Sequence, residues 1–290
     1  MYVYGAMTKE LDQENPPVAA TRRGFIKTFA MALGAGMAGG GALVVEPQWL
    51  EVSEHTVPIP GLPSNLEGLT IAQISDLHFH GFATVHGEIE KSLKAKRPEI
   101  LALTGDAVDD IEYIGPWKEY LESIRGICPE SFACLGNWEG NTGMSPLRLT
   151  REYASHGVKL LINGEAVSKT GLRIFGASFG SSDKFFNWVI QKSGYKKGTR
   201  LLLSHAPAVI DYFPPGNGAW DLALAGHTHG GQVNLGPYMP WLPPACGRFV
   251  AGMYHTASGP AYVSRGVGNA IFDLRFNCRP ELAYFTLARG

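Results

Sequence analysis

A surplus of either charge is what this chain most plainly lacks. Its 25 basic and 26 acidic side chains leave a formal net charge of −1, and without residues 1–45 the balance is 21 against 23. Such a body offers no basic footprint for sequence-independent nucleic-acid binding, so nucleic acid is not an expected partner. Cysteine is scarce: Cys128, Cys134, Cys246 and Cys278 are widely spread and lack metal-finger spacing. Four thiols in 290 residues make no disulfide framework. Buried or free thiols are the expectation, with a Cys128–Cys134 bridge left open. Charged residues are only 18%, yet 45% are hydrophobic, and hydrophobic runs separated by 36 glycines and 19 prolines argue for defined turns rather than disorder.

Residues 1–20 are polar, include Asn15-Pro16-Pro17, show no sustained period and are expected to be disordered. Residues 21–45 follow as TRRGFIKTFAMALGAGMAGGGALVV, with paired Arg22-Arg23, then Phe25 and Lys27, then an uncharged stretch from Thr28 to Val45. A charged region followed by a modest apolar one is the order of an export signal, and TRRGFIK resembles the twin-arginine signal. The 18 uncharged residues are rich in Gly and Ala, so they are marginal as a spanning helix. No convincing Ala-x-Ala cleavage site precedes Glu46, which leaves an uncleaved membrane tether and a released domain both open. The expected partner is the twin-arginine export machinery. The expected location is the bacterial cell envelope, exported or tethered to the inner membrane, with the periplasmic side favoured. Residues 46–290 are expected to form one domain.

From about residue 47 one rhythm takes over: a short apolar run ends and polar, ligand-type residues follow at once. LTIAQISDLHFHG releases Asp76, His78 and His80; EILALTGDAVDD releases Asp106, Asp109 and Asp110; SFACLGNWEG releases Asn137 and Glu139; RLLLSHAP releases His205; WDLALAGHTHGGQ releases His227 and His229. Helix-like segments with apolar residues three or four apart lie between, at 87–96 and 116–126. Strands alternating with helices indicate an α/β fold, in which ligands gather beyond the carboxyl ends of strands. Singly, each cluster has another explanation: an Asp after a strand caps turns, and a lone His is usually a satisfied core residue. Two imidazoles one residue apart in a Gly-rich turn have little packing purpose, and five such clusters together point to one site. Asp, His and Asn supply oxygen and nitrogen ligands suited to Mn²⁺, Fe, Zn²⁺ or Mg²⁺, with no thiolate called for. One carboxylate can bridge two such cations about 3.5–4 Å apart, which then clamp a phosphoryl group.

In order, SDLH, GDAVDD, GNWE, SH and GHTH (residues 75–229) resemble the motif series of the calcineurin-like metallophosphoesterase family. The resemblance implies a four-layer α-β-β-α sandwich of two mixed sheets and two divalent metal ions. It also implies attack by a metal-bound hydroxide on a phosphorylated small-molecule or lipid substrate. It assigns Asp76, His78, Asp106 and His229 to one metal, and Asp106, Asn137, His205 and His227 to the other, with Asp106 bridging. Asp109 matches the second aspartate of its motif, and Glu139 is implied to orient a ligand rather than bind metal. The tail YVSRGVGNAIFDLRFNCRPELAYFTL (262–287) resembles an exported or membrane-tethered branch. That branch includes UDP-2,3-diacylglucosamine hydrolases of lipid A synthesis and general phosphodiesterases.

Position 138 departs from the family, which usually places a His there to help the leaving oxygen. Trp138 offers only an indole N–H donor and cannot transfer a proton. General-acid help matters most for strongly basic leaving groups, so the substitution favours phosphoanhydrides or otherwise activated esters. The alternative gives the proton to His80 or a metal-bound water, with Trp138 packing or stacking. Arg265 and Arg275 are candidates for phosphate recognition, because guanidinium binds phosphate bidentately; structural ion pairs are the other reading. The proline-stiffened segment 237–249 places Tyr238, Met239, Trp241 and Leu242 after the His pair, where they could hold acyl chains, touch a bilayer or pack on their own domain. A broad phosphomonoesterase and a non-catalytic metal-scaffold binding module are the alternative functions.

Overall fold

Runs such as ILALT at 100–104 have no polar alternation, as a strand requires when both of its faces are covered. The computed structural model describes residues 46–181, 185–189, 191, 198–213, 219–236, 239–270 and 273–290. The disordered segment and signal expected over 1–45, and Tyr238, lie outside them. Among the described residues twelve strands form: β1 (Glu51–Ile59), β2 (Thr70–Ile74), β3 (Ile100–Thr104), β4 (Glu130–Cys134), β5 (Val158–Leu160), β6 (Gly164–Val167), β7 (Arg173–Ala177), β8 (Arg200–Ser204), β9 (Leu222–Ala225), β10 (Gly252–Thr256), β11 (Gly259–Val263) and β12 (Glu281–Arg289). They make two six-stranded sheets, ordered β1-β12-β2-β3-β4-β5 and β10-β11-β9-β8-β7-β6. Both are mixed. In the first, β2 to β5 are parallel and β12 is antiparallel to β2; in the second, β7, β8, β9 and β11 are parallel, with β6 and β10 antiparallel at the edges.

Three α-helices cover the outer face of the first sheet: α1 (Thr84–Lys96), α2 (Ile114–Ile124) and α3 (Pro146–Ser155). Helix α2 buries Trp117, Tyr120, Leu121 and Ile124, three or four apart, as a helix facing a sheet must. Helix α3 is started by Ser145, whose hydroxyl accepts from Arg148 N–H, and by Pro146 in its first turn. Strand side chains alternate between two cores: Leu101 and Leu103 of β3 face the helices, while Ile100 and Ala102 face the second sheet. There they meet Ile174, Leu201, Leu203, Leu222 and Leu224. A third core lies on the far face of the second sheet, where a helical segment at 185–189, a 3-10 helix (Pro207–Tyr212), Trp220 and Phe249 form the fourth layer. This is the α/β four-layer sandwich expected, with its outer cover on the second sheet built among the described residues from short helical pieces.

All four cysteines are free, so Cys128 and Cys134 form no bridge. Among the described residues, no helix is long and apolar enough to cross a membrane. The carboxyl ends of β2, β3, β4, β8 and β9 open toward one edge, where all five sequence clusters meet.

Candidate metal centre

Two groups of three buried side chains stand at that edge: Asp76, His78 and His229, and Asp106, His205 and His227, the ligand atoms of each group lying within 4.8 Å of one another. In the first, His78 Nε2 is 3.2 Å from His229 Nε2, which is 3.4 Å from Asp76 Oδ1. In the second, His205 Nε2 is 3.0 Å from Asp106 Oδ2 and 3.1 Å from His227 Nδ1. Asn137 Oδ1 also lies 3.1 Å from His205 Nε2. Asp106 Oδ2 reaches toward the first group as well, 3.7 Å from His78 Nε2. The seven side chains expected to hold metal are thus brought together, with Asp106 between the two groups.

Hydrogen bonds on the far sides of the rings show what these atoms can hold. His205 Nδ1–H donates to Thr104 O (2.8 Å) and His227 Nε2–H to Pro244 O (2.6 Å), carbonyls that can only accept. The neutral rings therefore point lone pairs inward. Around His205 Nε2 gather an Asp oxygen, an Asn oxygen and a His lone pair, all within 3.1 Å, and one nitrogen can carry at most one proton to answer them. Two ligands bound at 2.1 Å and at right angles are about 3.0 Å apart. The donor set and its spacing fit a divalent cation at each group. His78 is oriented in the same way, its Nδ1–H directed at Asp109 Oδ2 (3.3 Å), while His229 Nδ1 is buried and meets no partner among the described residues.

Burial is complete at these groups and governs their protonation. Burial pushes the Asp76 carboxyl up, and nearby Asp106 adds to this. At Asp106 burial acts the same way but is outweighed by His205, His78 and the Trp138 N–H, which hold the carboxyl well below the usual range. Burial pulls His205 down, yet the Asp106 carboxylate drives it up to about 10. His227 is pushed down to about 4 by burial and by the charge of His205. Without cations, a proton on His205 balances the carboxylate that two cations would otherwise share.

The backbone bends sharply to aim these side chains. Asp76, His78, Asp106, His227 and His229 all have positive φ, between 40° and 73°. That left-handed conformation costs about 1–3 kcal/mol for a non-glycine residue and persists only where its surroundings enforce it. Asp76 N–H donates to Gly105 O, His78 N–H to Asp106 O and Gly268 N–H to Asp76 O. His227 N–H is held by Asp76 Oδ1 (2.9 Å). Two glycines permit the close approach. A Cβ on Gly136 would lie 2.1 Å from Asp106 Oδ1, and one on Gly226 would lie 1.9 Å from Ser75 Oγ.

The remaining expected residues are distributed as follows. Glu139 is buried and accepts from Ala107 N–H and Gly136 N–H, both at 2.9 Å, so it clamps the β3 and β4 loops together. Burial, reinforced by Asp106, pushes its carboxyl up to about 7. Asp109 stands between two imidazoles, His78 and His80, the latter 2.9 Å away and 46% exposed. Trp138 serves Asp106 through its backbone, whose N–H donates to Oδ1 at 2.8 Å, while its half-buried indole meets His78 edge-on with centroids 5.7 Å apart. Asp110 takes the ordinary role, capping a 3-10 turn through Glu112 N–H. Both arginines are committed elsewhere, against the expectation of phosphate contact. Arg265 pairs with Glu51 and Glu281, and Arg275 is wholly buried, donating to backbone carbonyls. Met239, Trp241 and Leu242 are partly buried, Met239 lying against Gly231. Phe179 carried no sequence signal, being apolar after an apolar strand, yet its ring lies 5.4 Å from that of His227.

Two buried groups that could each hold a cation, with Asp106 between them, stand at one edge of a two-sheet α/β sandwich, the arrangement of a candidate dinuclear centre. The Calcineurin-like phosphoesterase family model matches residues 69–231, and the chain belongs to that family: it is a metallophosphoesterase, a phosphoric ester hydrolase. A Bacillus subtilis protein described as the uncharacterized metallophosphoesterase YkuE is 30% identical over 292 residues, covering 92% of this chain and 97% of that one. Phosphodiesterase YaeI of Escherichia coli is 29% identical, covering 92% and 99%. UDP-2,3-diacylglucosamine pyrophosphatase LpxG of Chlamydia muridarum is 26% identical, covering 68% and 73%.

Proposed function

We propose that the chain hydrolyses a phosphodiester or phosphoanhydride whose leaving group departs without a proton from the protein. Asp76, His78, Asp106 and His229 would hold one divalent cation, and Asp106, Asn137, His205 and His227 the other. Bound there, the cations supply Lewis acidity to phosphoryl oxygens and activate water. The observation that carries the reading is the crowding of lone pairs at His205 Nε2, which a cation answers and one proton does not. The chain's own part is orientation. Thr104 O and Pro244 O fix two imidazole tautomers, Asp109 fixes a third ring, and the Trp138 N–H fixes the shared carboxylate.

The bent β4 loop turns Trp138 toward His78 at the position that usually holds a proton donor in the family. Removing general-acid help costs about 10²–10⁴-fold, most severely for basic leaving groups. Anhydrides and activated esters, with weakly basic leaving groups, escape that loss. The competing source of a proton is His80, half-exposed at the rim and held by both Asp109 oxygens. A series of aryl phosphodiesters of rising phenol pKa decides. A steep fall in kcat/KM for the native chain, flattened by Trp138→His and unchanged by His80→Ala, is the expected outcome. A flat native response that turns steep in His80→Ala refutes the reading of Trp138.

For the substrate, the similarity to a pyrophosphatase named for a lipid-linked sugar nucleotide favours a phosphoanhydride with an apolar portion, and Met239, Trp241 and Leu242 follow the second His pair closely enough to meet one. The twin-arginine-like segment at 21–45 favours an envelope location with the site on the outer side. The two readings pull apart if the substrate is made inside the cell, and an envelope phosphodiester then takes its place.

A further inference from the structure

Tail residues 264–270 and 273–281 carry Arg265 and Arg275, the two arginines considered for phosphate contact, and residues 266–268 and Cys278 lie directly against the first group. Val267 N–H donates to Ser75 O (3.0 Å) and Gly268 N–H to Asp76 O (2.7 Å), the carbonyls on either side of the left-handed Asp76 Cα. A Cβ at Gly266 would meet Asp76 Cβ at 2.7 Å, and one at Gly268 would meet Leu77 O at 2.0 Å. On the β9 side, Cys278 Sγ lies 3.1 Å from His229 O, toward which its S–H points. The tail therefore touches the loops of Asp76, His78 and His229. The side chains of the second group are held by other contacts, Asp106 by Trp138, His205 by Thr104 and His227 by Pro244, and the two groups meet where His227 N–H donates to the Asp76 carboxylate.

What shapes the tail is Arg275. It is 0% exposed, and no carboxylate lies within 4.0 Å of it among the described residues. Its guanidinium is spent on the tail's own backbone. Nη1 donates to Arg265 O (3.0 Å) and Cys278 O (3.1 Å); Nη2 donates to Arg265 O (3.1 Å), Gly266 O (3.2 Å) and Gly268 O (2.5 Å); Nε donates to Asn269 Oδ1 (3.1 Å). A buried charge is tolerated only when its donors are answered, and here four carbonyls and a side-chain amide answer them. An ammonium has three donors and no planar fork, so Lys cannot span these acceptors.

We propose that Arg275 is a positioning residue for the first cation group: it ties residues 265–269 to Cys278 as a brace that fixes Asp76, His78 and His229, and bears on the side chains of the second group far less. The proposal rests on the two-cation reading above. Groups that orient metal ligands typically change cation affinity by about 10–100-fold when removed. The test is calorimetric titration of the full chain with Mn²⁺, with bound metal counted after desalting, for Arg275→Lys alone and combined with Asp76→Asn or His205→Ala. Near-UV circular dichroism checks the fold. Arg275→Lys is expected to weaken one of two binding events about 10–100-fold. In the His205→Ala background, where the first group alone remains, it is expected to abolish tight binding. In the Asp76→Asn background it is expected to change affinity far less. Should Arg275→Lys fail to fold, Asn269→Ala, which removes one acceptor and keeps the charge buried, is expected to give the same selectivity at a few-fold. Equal weakening of both events, or unchanged affinity in both variants, overturns the brace. Absence of divalent-cation binding by the native chain would instead refute the two-cation reading.

Discussion

At the scale of single residues, the site is decided by atoms that never touch substrate. Thr104 O and Pro244 O are ordinary strand-end and loop carbonyls, yet each dictates which nitrogen of a histidine faces inward. His205 makes this testable through its proton. Burial alone would lower its pKa, but Asp106 raises it to about 10, against 6.5 for an ordinary imidazole. With the folded value raised, the protonated pair stabilises the cation-free fold fully below pH 6.5, and that contribution is lost as pH rises through about 10. A cation at the second group must displace this proton. Between pH 7 and 9 its affinity should rise up to about tenfold per pH unit, with about one proton released on binding. Calorimetric titrations with Zn²⁺ in two buffers of different ionisation enthalpy, at two pH values, measure both. Cation binding with no proton release would mean that His205 is not a ligand.

At the scale of elements, five strand ends deliver the ligands and glycines let the loops meet. Gly226 closes β9 against β2: a methyl group there would stand 1.9 Å from Ser75 Oγ and 2.2 Å from Asp76 Oδ2. Overpacking of this kind costs about 1–3 kcal/mol. Gly226→Ala is therefore expected to lower the unfolding free energy of the cation-free protein by that much, read as a lower urea midpoint at unchanged slope, and to lose the first cation. Retention of both cations with unchanged stability would show that the loop yields freely. The ligand-bearing strands were legible because a doubly buried strand writes an unbroken apolar run and its polar successors mark where it ends. Strand β1 was not, since Glu51, Glu54 and His55 interrupt its pattern; it lies at the sheet's edge, paired only to β12. The Asp and His side chains of the candidate centre were legible in type and order. The carbonyls that orient them, the left-handed turns and Phe179 were not, because backbone atoms and apolar rings carry no local signature of what they will face. The arginines misled for a related reason: a guanidinium suits a phosphate and a cluster of carbonyls equally well, and only tertiary contact tells them apart.

At the scale of the whole molecule, the order of the first sheet bears on where the protein works. Strand β12 inserts between β1 and β2, so the chain enters β1 beside Glu281, whose N–H donates to Gly266 O next to Asp76. Glu46 therefore lies at the edge that carries the two groups, its carboxylate accepting from Cys278 N–H. Residues 46–50 include the 3-10 turn Glu46–Gln48 and so reach less than the roughly 18 Å of a fully extended five-residue stretch. A segment retained in a bilayer would hold the site edge within that distance of the lipid surface, which suits a substrate with an apolar portion. The proposed envelope location would depend on Arg22 and Arg23, because the twin-arginine route reads such a pair as an address. A reporter fused after Gly290 that is active only outside the cytoplasm should be found with the envelope for the native chain and stay inside for Arg22→Lys/Arg23→Lys. In liposomes, the full chain should hydrolyse a bilayer-embedded phosphoanhydride faster than the same compound in detergent, while its rate on a soluble aryl phosphodiester should not change. A reporter indifferent to the two arginines would remove the export route, and equal rates in liposome and detergent would remove the orientation of the site toward the membrane.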